Sequence, residues 1–178
     1  MRTEKLADGH EWLRVADPDW HDPLDPSFAA IRGGRWNPPH SFPVLYLNED
    51  IVTARINIGA FVSAWPYEPE DLRPDNAPVL VGAILPTGQR AVDVHTPVGV
   101  EAVSLPPTYP RDEAGATVSH ETCQPIGVKA RASGYDGIRC RCAQAPDGEG
   151  RELAWFPGTS PAEPLGTSRR QFTEWYWG

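Results

Sequence analysis

The sequence Gly33-Gly34-Arg35-Trp36-Asn37-Pro38-Pro39 is the most unusual segment of this 178-residue chain. Two adjacent glycines allow the backbone to adopt left-handed angles or to approach a ligand closely. Arg35 then places a planar cation beside an indole ring, and a guanidinium can bind phosphate or carboxylate through two parallel hydrogen bonds. The segment predicts either a tight structural turn with a buried tryptophan or a turn that presents Arg35 to an anionic ligand.

A short strand and a helix are predicted after this turn. Residues 44–47 form an apolar run that is typical of a buried strand. Asn48-Glu49-Asp50 supplies helix-capping side chains, and apolar residues then recur at spacings of three and four until Trp65-Pro66. Thr53 and Asn57 are expected on a different face of this helix. Its predicted buried face comprises Ile51, Ala54, Ile58, Phe61 and Val62.

Composition indicates a folded, turn-rich chain. The 20 prolines and 16 glycines stay below the roughly 25–30% that is typical of low-complexity disorder. With 24 acidic and 16 basic residues the net charge is −8, which disfavours direct binding to nucleic acid or anionic membranes. No apolar run approaches the roughly 20 residues that span a bilayer, and the start lacks a signal-peptide core. Together with 3 unpatterned cysteines, these features predict a cytoplasmic protein without a metal centre.

The other periodic segments are short and are separated by prolines and glycines. Apolar runs predict further strands at residues 79–85, 91–94, 137–142 and 152–156, with a Pro146-Asp147-Gly148 turn between the last two. A second helix is predicted over residues 123–133, with Pro125 in its first turn and Gly134 as its stop. Residues 16–30, 66–78 and 97–116 are expected to be irregular. These elements predict an α+β fold without regular βαβ repetition.

Several blocks of the chain resemble the RES-domain family, which is named for an arginine, a glutamate and a serine. The family has a Gly-Gly-Arg-Trp-Asn turn, then an apolar strand ending in Tyr-Leu, then a helix, and these resemble the segments that begin at residues 33, 44 and 51. Leu13-Arg14-Val15 resembles its opening strand, residues 134–138 its late Gly-x-Asp-Gly turn, and residues 153–156 its final strand. The blocks occur in family order from about residue 13 to residue 156.

This resemblance implies an ADP-ribosyltransferase-like fold, in which short and mostly antiparallel strands split around a cleft for NAD. Family members are typically toxins of bacterial toxin–antitoxin pairs, neutralised by a partner with a helix-turn-helix domain. They cleave the nicotinamide–ribose bond by phosphorolysis, by hydrolysis or by transfer of ADP-ribose to a protein. The resemblance therefore implies NAD as substrate, no metal, and a single domain over residues 1–178 with a recognisable core at about 13–156.

The resemblance also assigns roles to individual residues. Arg35 falls on the family arginine, and Tyr46 falls on the tyrosine that lines the nicotinamide pocket. Arg14 is a second candidate cation, on the opening strand. The predicted NAD-binding residues are Arg14, Gly34, Arg35, Trp36 and Tyr46.

The glutamate and serine of the family are replaced in this chain. The glutamate position reads Asn57 and the serine position reads Cys142. A neutral amide stabilises the positive charge that develops on the ribose less well than a carboxylate does. We therefore predict catalytic roles for Arg35, Tyr46, Asn57 and Cys142, with a weakened pseudoenzyme that binds a nucleotide or a protein as the alternative. Three acidic residues are candidate replacements for the carboxylate: Glu49, Glu121 and Glu152.

The C-terminal segment 165–178 is rich in aromatic residues and includes Phe172-Thr173-Glu174-Trp175-Tyr176-Trp177. Chain ends are usually frayed, whereas aromatic side chains are enriched at interfaces. The segment predicts either a tail that docks on its own domain or a surface for a partner or a homodimer.

Overall fold

The structure is a computed structural model that describes residues 1–66, 68–73, 75–145 and 148–178, without the side chains of residues 166–169. The irregular segment predicted at 66–78 and the turn predicted at 146–148 each include residues outside this part, namely Tyr67, Pro74, Pro146 and Asp147. Within the described residues, no helix has the length and apolar character needed to cross a membrane.

One mixed sheet organises the described chain. Its strands are β1 Thr3–Lys5, β2 Glu11–Ala16, β3 Leu45–Asn48, β4 Val79–Ile84, β5 Arg90–Val94, β6 Gly137–Arg141, β7 Arg151–Trp155 and β8 Glu163–Arg170. The helices are α1 Ser27–Arg32, α2 Ile51–Val62, α3 Pro97–Glu101, α4 His120–Ala132 and α5 Phe172–Trp175, and a short 3₁₀ helix covers Pro69–Asp71. The strand order is β1-β5-β6-β7-β3-β2-β4-β8, and the pairs are antiparallel except for β5 with β6. The predicted α+β class with mostly antiparallel strands is confirmed.

The sheet splits between β2 and β3. Among the described residues these strands share one residue pair, Leu13 with Asn48, whereas β2 pairs with β4 from Glu11 to Ala16. The Asn48 side chain donates a hydrogen bond from Nδ2 to the Leu13 carbonyl over 3.1 Å, which fixes the junction. Beyond the junction a cavity separates the two strands, lined on one side by Val15 and on the other by Tyr46.

Alternating side chains cover both faces of the sheet. On β7, Ala154 packs in one apolar cluster with Ala130 of α4, while Leu153 and Trp155 pack in another cluster on the opposite face. A third cluster joins α2 and α5 to β2 and β4 through Leu13 and other buried residues. The cluster with Leu153 and Trp155 also contains Trp12 of β2 and Leu45 of β3, so one core holds both sides of the split together.

Two segments that were expected to be irregular contain helices. Ser27–Arg32 forms α1 at the end of the segment 16–30, and Pro97–Glu101 forms α3 within 97–116. The start of α3 is explained by Thr96, whose side chain accepts a hydrogen bond from the Gly99 backbone, and by proline in the first turn. Helices this short have too few residues to show a periodic apolar pattern.

The predicted boundaries of α4 and the predicted buried face of α2 were wrong in part. Helix α4 begins at His120 because Ser119 caps it, so Pro125 lies inside the helix and not in its first turn. Phe61 is 64% exposed, since α2 turns Ala54, Ile58 and Val62 towards the sheet together with Thr53. The exposed Phe61 ring contacts Trp65 edge to face at 5.7 Å.

The aromatic C-terminal segment docks on its own sheet. The side chains of Phe172 and Trp175 are 2% and 1% exposed, in the cluster that joins α5 to α2. Trp175 donates from Nε1 to the Pro78 carbonyl over 3.1 Å, and Arg55 donates from Nε to the Trp175 carbonyl over 2.7 Å. Of the two alternatives for this segment, the structure has the docked tail.

Helix α4 packs directly on the glycine–arginine turn. Gln124 donates from Nε2 to the Gly34 carbonyl over 3.0 Å. One turn along, Gly127 leaves no space for a side chain, because a Cβ there would overlap the carbonyl oxygen of Trp36. The close approach of helix and turn therefore depends on this glycine.

We expect Gly127→Ala to lower the free energy of unfolding by about 1–3 kcal/mol, because the added methyl group overpacks the contact. In an exposed helix the same substitution is normally stabilising by about 1 kcal/mol. Urea denaturation monitored by circular dichroism measures the difference. Gly158→Ala is the matched control, since a Cβ at this position meets no atom within 4 Å. Equal stability of Gly127→Ala and the unsubstituted chain would contradict the prediction.

Candidate active site

The hydroxyl group of Tyr46 holds the turn that carries Arg35. Its oxygen accepts a hydrogen bond from the Trp36 backbone N–H over 3.0 Å and donates to Asn37 Oδ1 over 2.8 Å. Gly34 packs on the same ring, where a Cβ would clash with the hydroxyl. Burial raises the pKa of Tyr46 well above its ordinary value, so this hydroxyl keeps its proton and remains a donor.

Asn37 extends this hydrogen-bond network into the core. The residue is fully buried, and its Nδ2 donates to the Ala29 carbonyl over 2.7 Å and to the Phe42 carbonyl over 3.2 Å. Because each side-chain atom of Asn37 has a partner, the turn has one arrangement and not several. The turn therefore presents Arg35 from a fixed backbone.

Arg35 spans from the turn to the start of α4. Its Nη1 donates to the Val118 carbonyl over 2.7 Å and lies 3.9 Å from Cys123 Sγ. The partly buried side chain also lines a cleft beside the turn. The bond to Val118 therefore fixes the guanidinium at the wall of this cleft.

This cleft has a volume of about 330 Å³ and opens beside β3 and β7. Its wall includes all but one of the residues predicted to act in the site: Arg14, Gly34, Arg35, Trp36, Tyr46 and Asn57. The remaining residue, Cys142, lies behind the wall, where its Sγ donates to Asn57 Oδ1 over 3.4 Å. The structure therefore brings residues from five separate segments of the sequence together.

Glu152 supplies a carboxylate to the same cleft. It lies on β7 opposite Asn48 of β3, and Asn57 of α2 donates from Nδ2 to both Glu152 Oε1 and Asn48 Oδ1. The Ala143 backbone N–H also donates to the carboxylate, and the Cys142 thiol lies beside it. Asn57, predicted from the sequence to occupy the glutamate position of the family, thus holds a carboxylate that comes from β7.

The environment of Glu152 makes it a weaker acid than usual. Burial raises its pKa, while the hydrogen bond from Asn57 and the charge of Arg35 oppose that rise. The carboxylate also borders a second cavity of about 270 Å³, which lies in the split between β2 and β3 and shares Tyr46, Asn57 and Glu152 with the first. Glu152 therefore faces open space on two sides.

The other two candidate carboxylates lie elsewhere. Glu49 forms a bidentate ion pair with Arg139. The Arg139 Nε donates to Oε2 over 3.1 Å, and its Nη2 donates to Oε1 over 2.5 Å. Glu121 lies in the exposed first turn of α4, beside a separate surface depression that also includes Gln124. Of the three, Glu152 alone lines the cleft that contains Arg35.

Arg14 contributes a second cation and an unsatisfied donor. Its Nη1 is buried and has no hydrogen-bond partner among the residues that the structure describes. Burial lowers the pKa of Arg14, and the charges of Asp25 and Asp22 oppose this, so the guanidinium stays charged. A buried guanidinium nitrogen without an acceptor fits an anionic ligand group such as a phosphate.

The remaining polar groups of the cleft are neutral near pH 7. Burial, followed by the charge of Glu152, raises the pKa of Cys142 to about 11, so its thiol is a hydrogen-bond donor and not a nucleophile. His120 also lines the cleft, and burial together with the charge of Arg35 lowers its pKa. Sequence reasoning missed His120, because its position beside Arg35 follows from the cap that starts α4 and not from any local motif.

A group of possible metal ligands lies at the β1 edge, outside the cleft. Ligand atoms of Glu4, Asp93 and His95 lie within 4.8 Å of one another. The two carboxylates already form ion pairs, from Arg139 to Glu4 over 3.2 Å and from Arg2 to Asp93 over 3.4 Å. This arrangement is a network that ties β1 to β5 and β6.

The fold and the site together define an α+β protein whose polar cleft lies at the split of a mostly antiparallel sheet. The RES domain family model matches residues 7–173, and the chain belongs to this family. A chain in the crystal structure of the M. tuberculosis MbcT-MbcA toxin-antitoxin complex is similar in fold, with a TM-score of 0.74 and 21% sequence identity. The similarity covers 99% of this chain and 92% of that chain. None of the curated proteins matches the chain.

We expect Tyr46→Phe to destabilise the protein by about 1–3 kcal/mol, because it removes the hydrogen-bond partner of the Trp36 N–H and of Asn37 Oδ1. Urea denaturation provides the measurement. The control is Tyr135→Phe, since the Tyr135 hydroxyl has no hydrogen-bond partner recorded within the described chain and the ring is only partly buried. If both variants lose the same amount of stability, the network around Tyr46 does not hold the turn.

Proposed function

We propose that this protein binds NAD in the cleft beside Arg35 and cleaves the bond between nicotinamide and ribose, with Glu152 as the essential carboxylate. Membership of the RES family supports NAD as the substrate. The observation that carries the catalytic part is the position of Glu152, which is hydrogen-bonded to Asn57 and faces the cleft. The carboxylate that Asn57 lacks is thus supplied by the adjacent strand.

The chemistry of the bond explains why a carboxylate is needed. When the bond between the ribose carbon and the nicotinamide nitrogen breaks, its electron pair leaves with nicotinamide and positive charge develops on the ribose. An ionised Glu152 beside that carbon stabilises the charge, and the amide of Asn57 holds the carboxylate in place. A nucleophile then bonds to the ribose carbon, and the acceptor is water, phosphate or a protein side chain.

The two arginines suit the anionic part of NAD. Arg14 offers a buried donor that has no partner in the described part of the chain, and Arg35 adds a second positive charge to the lining of the same cleft. Tyr46 and Ala154 contribute apolar surface to the wall of the cleft close to Glu152, where a flat nicotinamide ring would fit. In this arrangement the pyrophosphate lies towards Arg14 and the nicotinamide lies towards Glu152.

We further propose that the protein is a toxin, whose activity is neutralised by a partner with a helix-turn-helix domain. The structural similarity to a chain of a toxin–antitoxin complex supports a protein partner. With a net charge of −8, the chain is better matched to a basic or apolar partner surface than to an acidic one. NAD and this partner are the two proposed ligands.

Glu152→Gln is expected to lower kcat for nicotinamide release by about 10²–10³, because one preorganised charge is lost while the shape is kept. Release of nicotinamide from NAD, with and without phosphate, is followed by chromatography. Glu121→Gln is the matched control, since it changes a carboxylate outside the cleft. Adding Asn57→Glu to Glu152→Gln returns a carboxylate to the family position. The double variant should therefore have a kcat about tenfold higher than that of Glu152→Gln alone.

The outcomes separate the enzyme from the alternative of a binding pseudoenzyme. Turnover that depends on Glu152 supports the enzyme. Calorimetric binding of NAD without nicotinamide release, in the unsubstituted chain as well as in Asn57→Glu, would favour the pseudoenzyme. Absence of both binding and release would overturn the proposal as a whole.

The activity should fall in acid with a midpoint above 4.5, the ordinary pKa of a glutamate side chain. Only ionised Glu152 stabilises the developing charge, and burial raises its pKa, so protonation inactivates it at a higher pH than usual. The hydrogen bond from Asn57 favours the ionised form, so Asn57→Ala should move the midpoint up by about one further pH unit. The pH profile of kcat/KM tests this, and an unchanged or lower midpoint in Asn57→Ala would contradict the assigned contact.

A further inference from the structure

A third cavity extends the cleft outwards beyond Arg14. Its volume is about 430 Å³, and it lies between β2 and α1. Arg14 and Phe28 line both this outer cavity and the central cleft, so the two spaces adjoin at these side chains. A ligand whose charged middle is bound by Arg14 would therefore extend its far end into the outer cavity.

Exposed aromatic rings form one side of the outer cavity. Trp20 is 37% exposed and Phe28 is 58% exposed, and their ring centroids are 6.4 Å apart at an angle of 37°. The Arg14 guanidinium lies 5.4 Å from the centre of the Trp20 ring. Two neighbouring aromatic faces beside a cation are typical of sites in which a nucleobase stacks.

Two carboxylates lie close to the same cation. Asp22 and Asp25 both line the outer cavity and interact electrostatically with Arg14. Hydrogen bonds from the Ser27 hydroxyl and backbone N–H hold the pKa of Asp25 below its ordinary value, so it is anionic at neutral pH. Asp22 Oδ1 accepts from the Leu24 N–H over 2.9 Å, and its second oxygen accepts no hydrogen bond recorded in the described chain.

We infer that the outer cavity is the adenosine subsite of the dinucleotide and that Asp22 and Asp25 exclude a 2′-phosphate, so that the protein uses NAD and rejects NADP. This inference rests on the proposed function. The adenine would stack against Trp20 and Phe28, and the ribose hydroxyls would donate to the free oxygen of Asp22. Carboxylates accept ribose hydroxyls but repel a phosphate, and Arg14, the guanidinium that lines this cavity, would be engaged by the pyrophosphate.

The first test compares the two dinucleotides. We expect kcat/KM for NADP to be about 100-fold lower than for NAD, and the double variant Asp22→Asn, Asp25→Asn to narrow that ratio to about tenfold, mainly through the KM for NADP. Asparagine keeps the acceptor oxygens that bind the loop backbone, so the fold should be preserved. Equal use of NAD and NADP by the unsubstituted protein would overturn the inference while leaving the proposed function intact.

The second test uses a substrate without the adenosine half. Trp20→Ala should raise the KM for NAD about tenfold, leave kcat unchanged, and leave the cleavage of nicotinamide mononucleotide unaffected. Trp177→Ala is the control, as it removes another exposed indole, 52% exposed, in the C-terminal segment. A KM for NAD that does not move, or equal losses for both substrates, would contradict the adenosine subsite.

The two proposals fail in different ways. If no nicotinamide is released from any of the substrates, the proposed function is wrong. The inference is then decided by calorimetry, since Kd for NAD should still be about 100-fold lower than Kd for NADP in the unsubstituted protein. Equal Kd values would overturn it.

Discussion

The hydroxyl of Tyr46 is the contact on which the site depends, since it joins a strand to the turn that carries Arg35. It binds the Trp36 N–H and the Asn37 side chain, and Asn37 in turn binds carbonyls at both ends of the segment 29–42. Helix α4 then packs on this turn through Gly127. Strand, turn and helix therefore position one another, and the cleft is the space that they leave.

The electrostatics of the cleft follow from where the sheet splits. Asn48 closes the junction between β2 and β3 and also accepts from Asn57, which holds Glu152. A buried carboxylate is unfavourable unless donors and a nearby cation compensate for the loss of water. Asn57, the Ala143 N–H and the charge of Arg35 provide that compensation, and they leave a carboxylate whose pKa is raised. The buried carboxylate thus lowers the stability of the fold, but it is a group suited to stabilising positive charge.

Much of the fold could be predicted because its strands and longer helices have clear apolar patterns. The turn at Arg35, the strand with Tyr46 and the capped helix α2 are local features, and the family resemblance placed them in order. Glu152 could not be chosen over Glu49 and Glu121, because its role depends on the register of β7 against β3, which sets residues 104 positions apart in the sequence side by side. Helices α1 and α3 were missed for a different reason, since helices of 6 and 5 residues are too short to show a periodic apolar pattern. The outer cavity likewise arises from β2 and α1 together.

A crystal structure of the Glu152→Gln variant with NAD bound would show directly where the dinucleotide lies in the cleft. We expect the nicotinamide ribose within hydrogen-bond distance of residue 152, the pyrophosphate at Arg14 and the adenine against Trp20. The substitution should slow cleavage enough for the intact dinucleotide to be observed. NAD bound elsewhere on the protein, or bound with its nicotinamide ribose away from residue 152 and Asn57, would contradict this expectation.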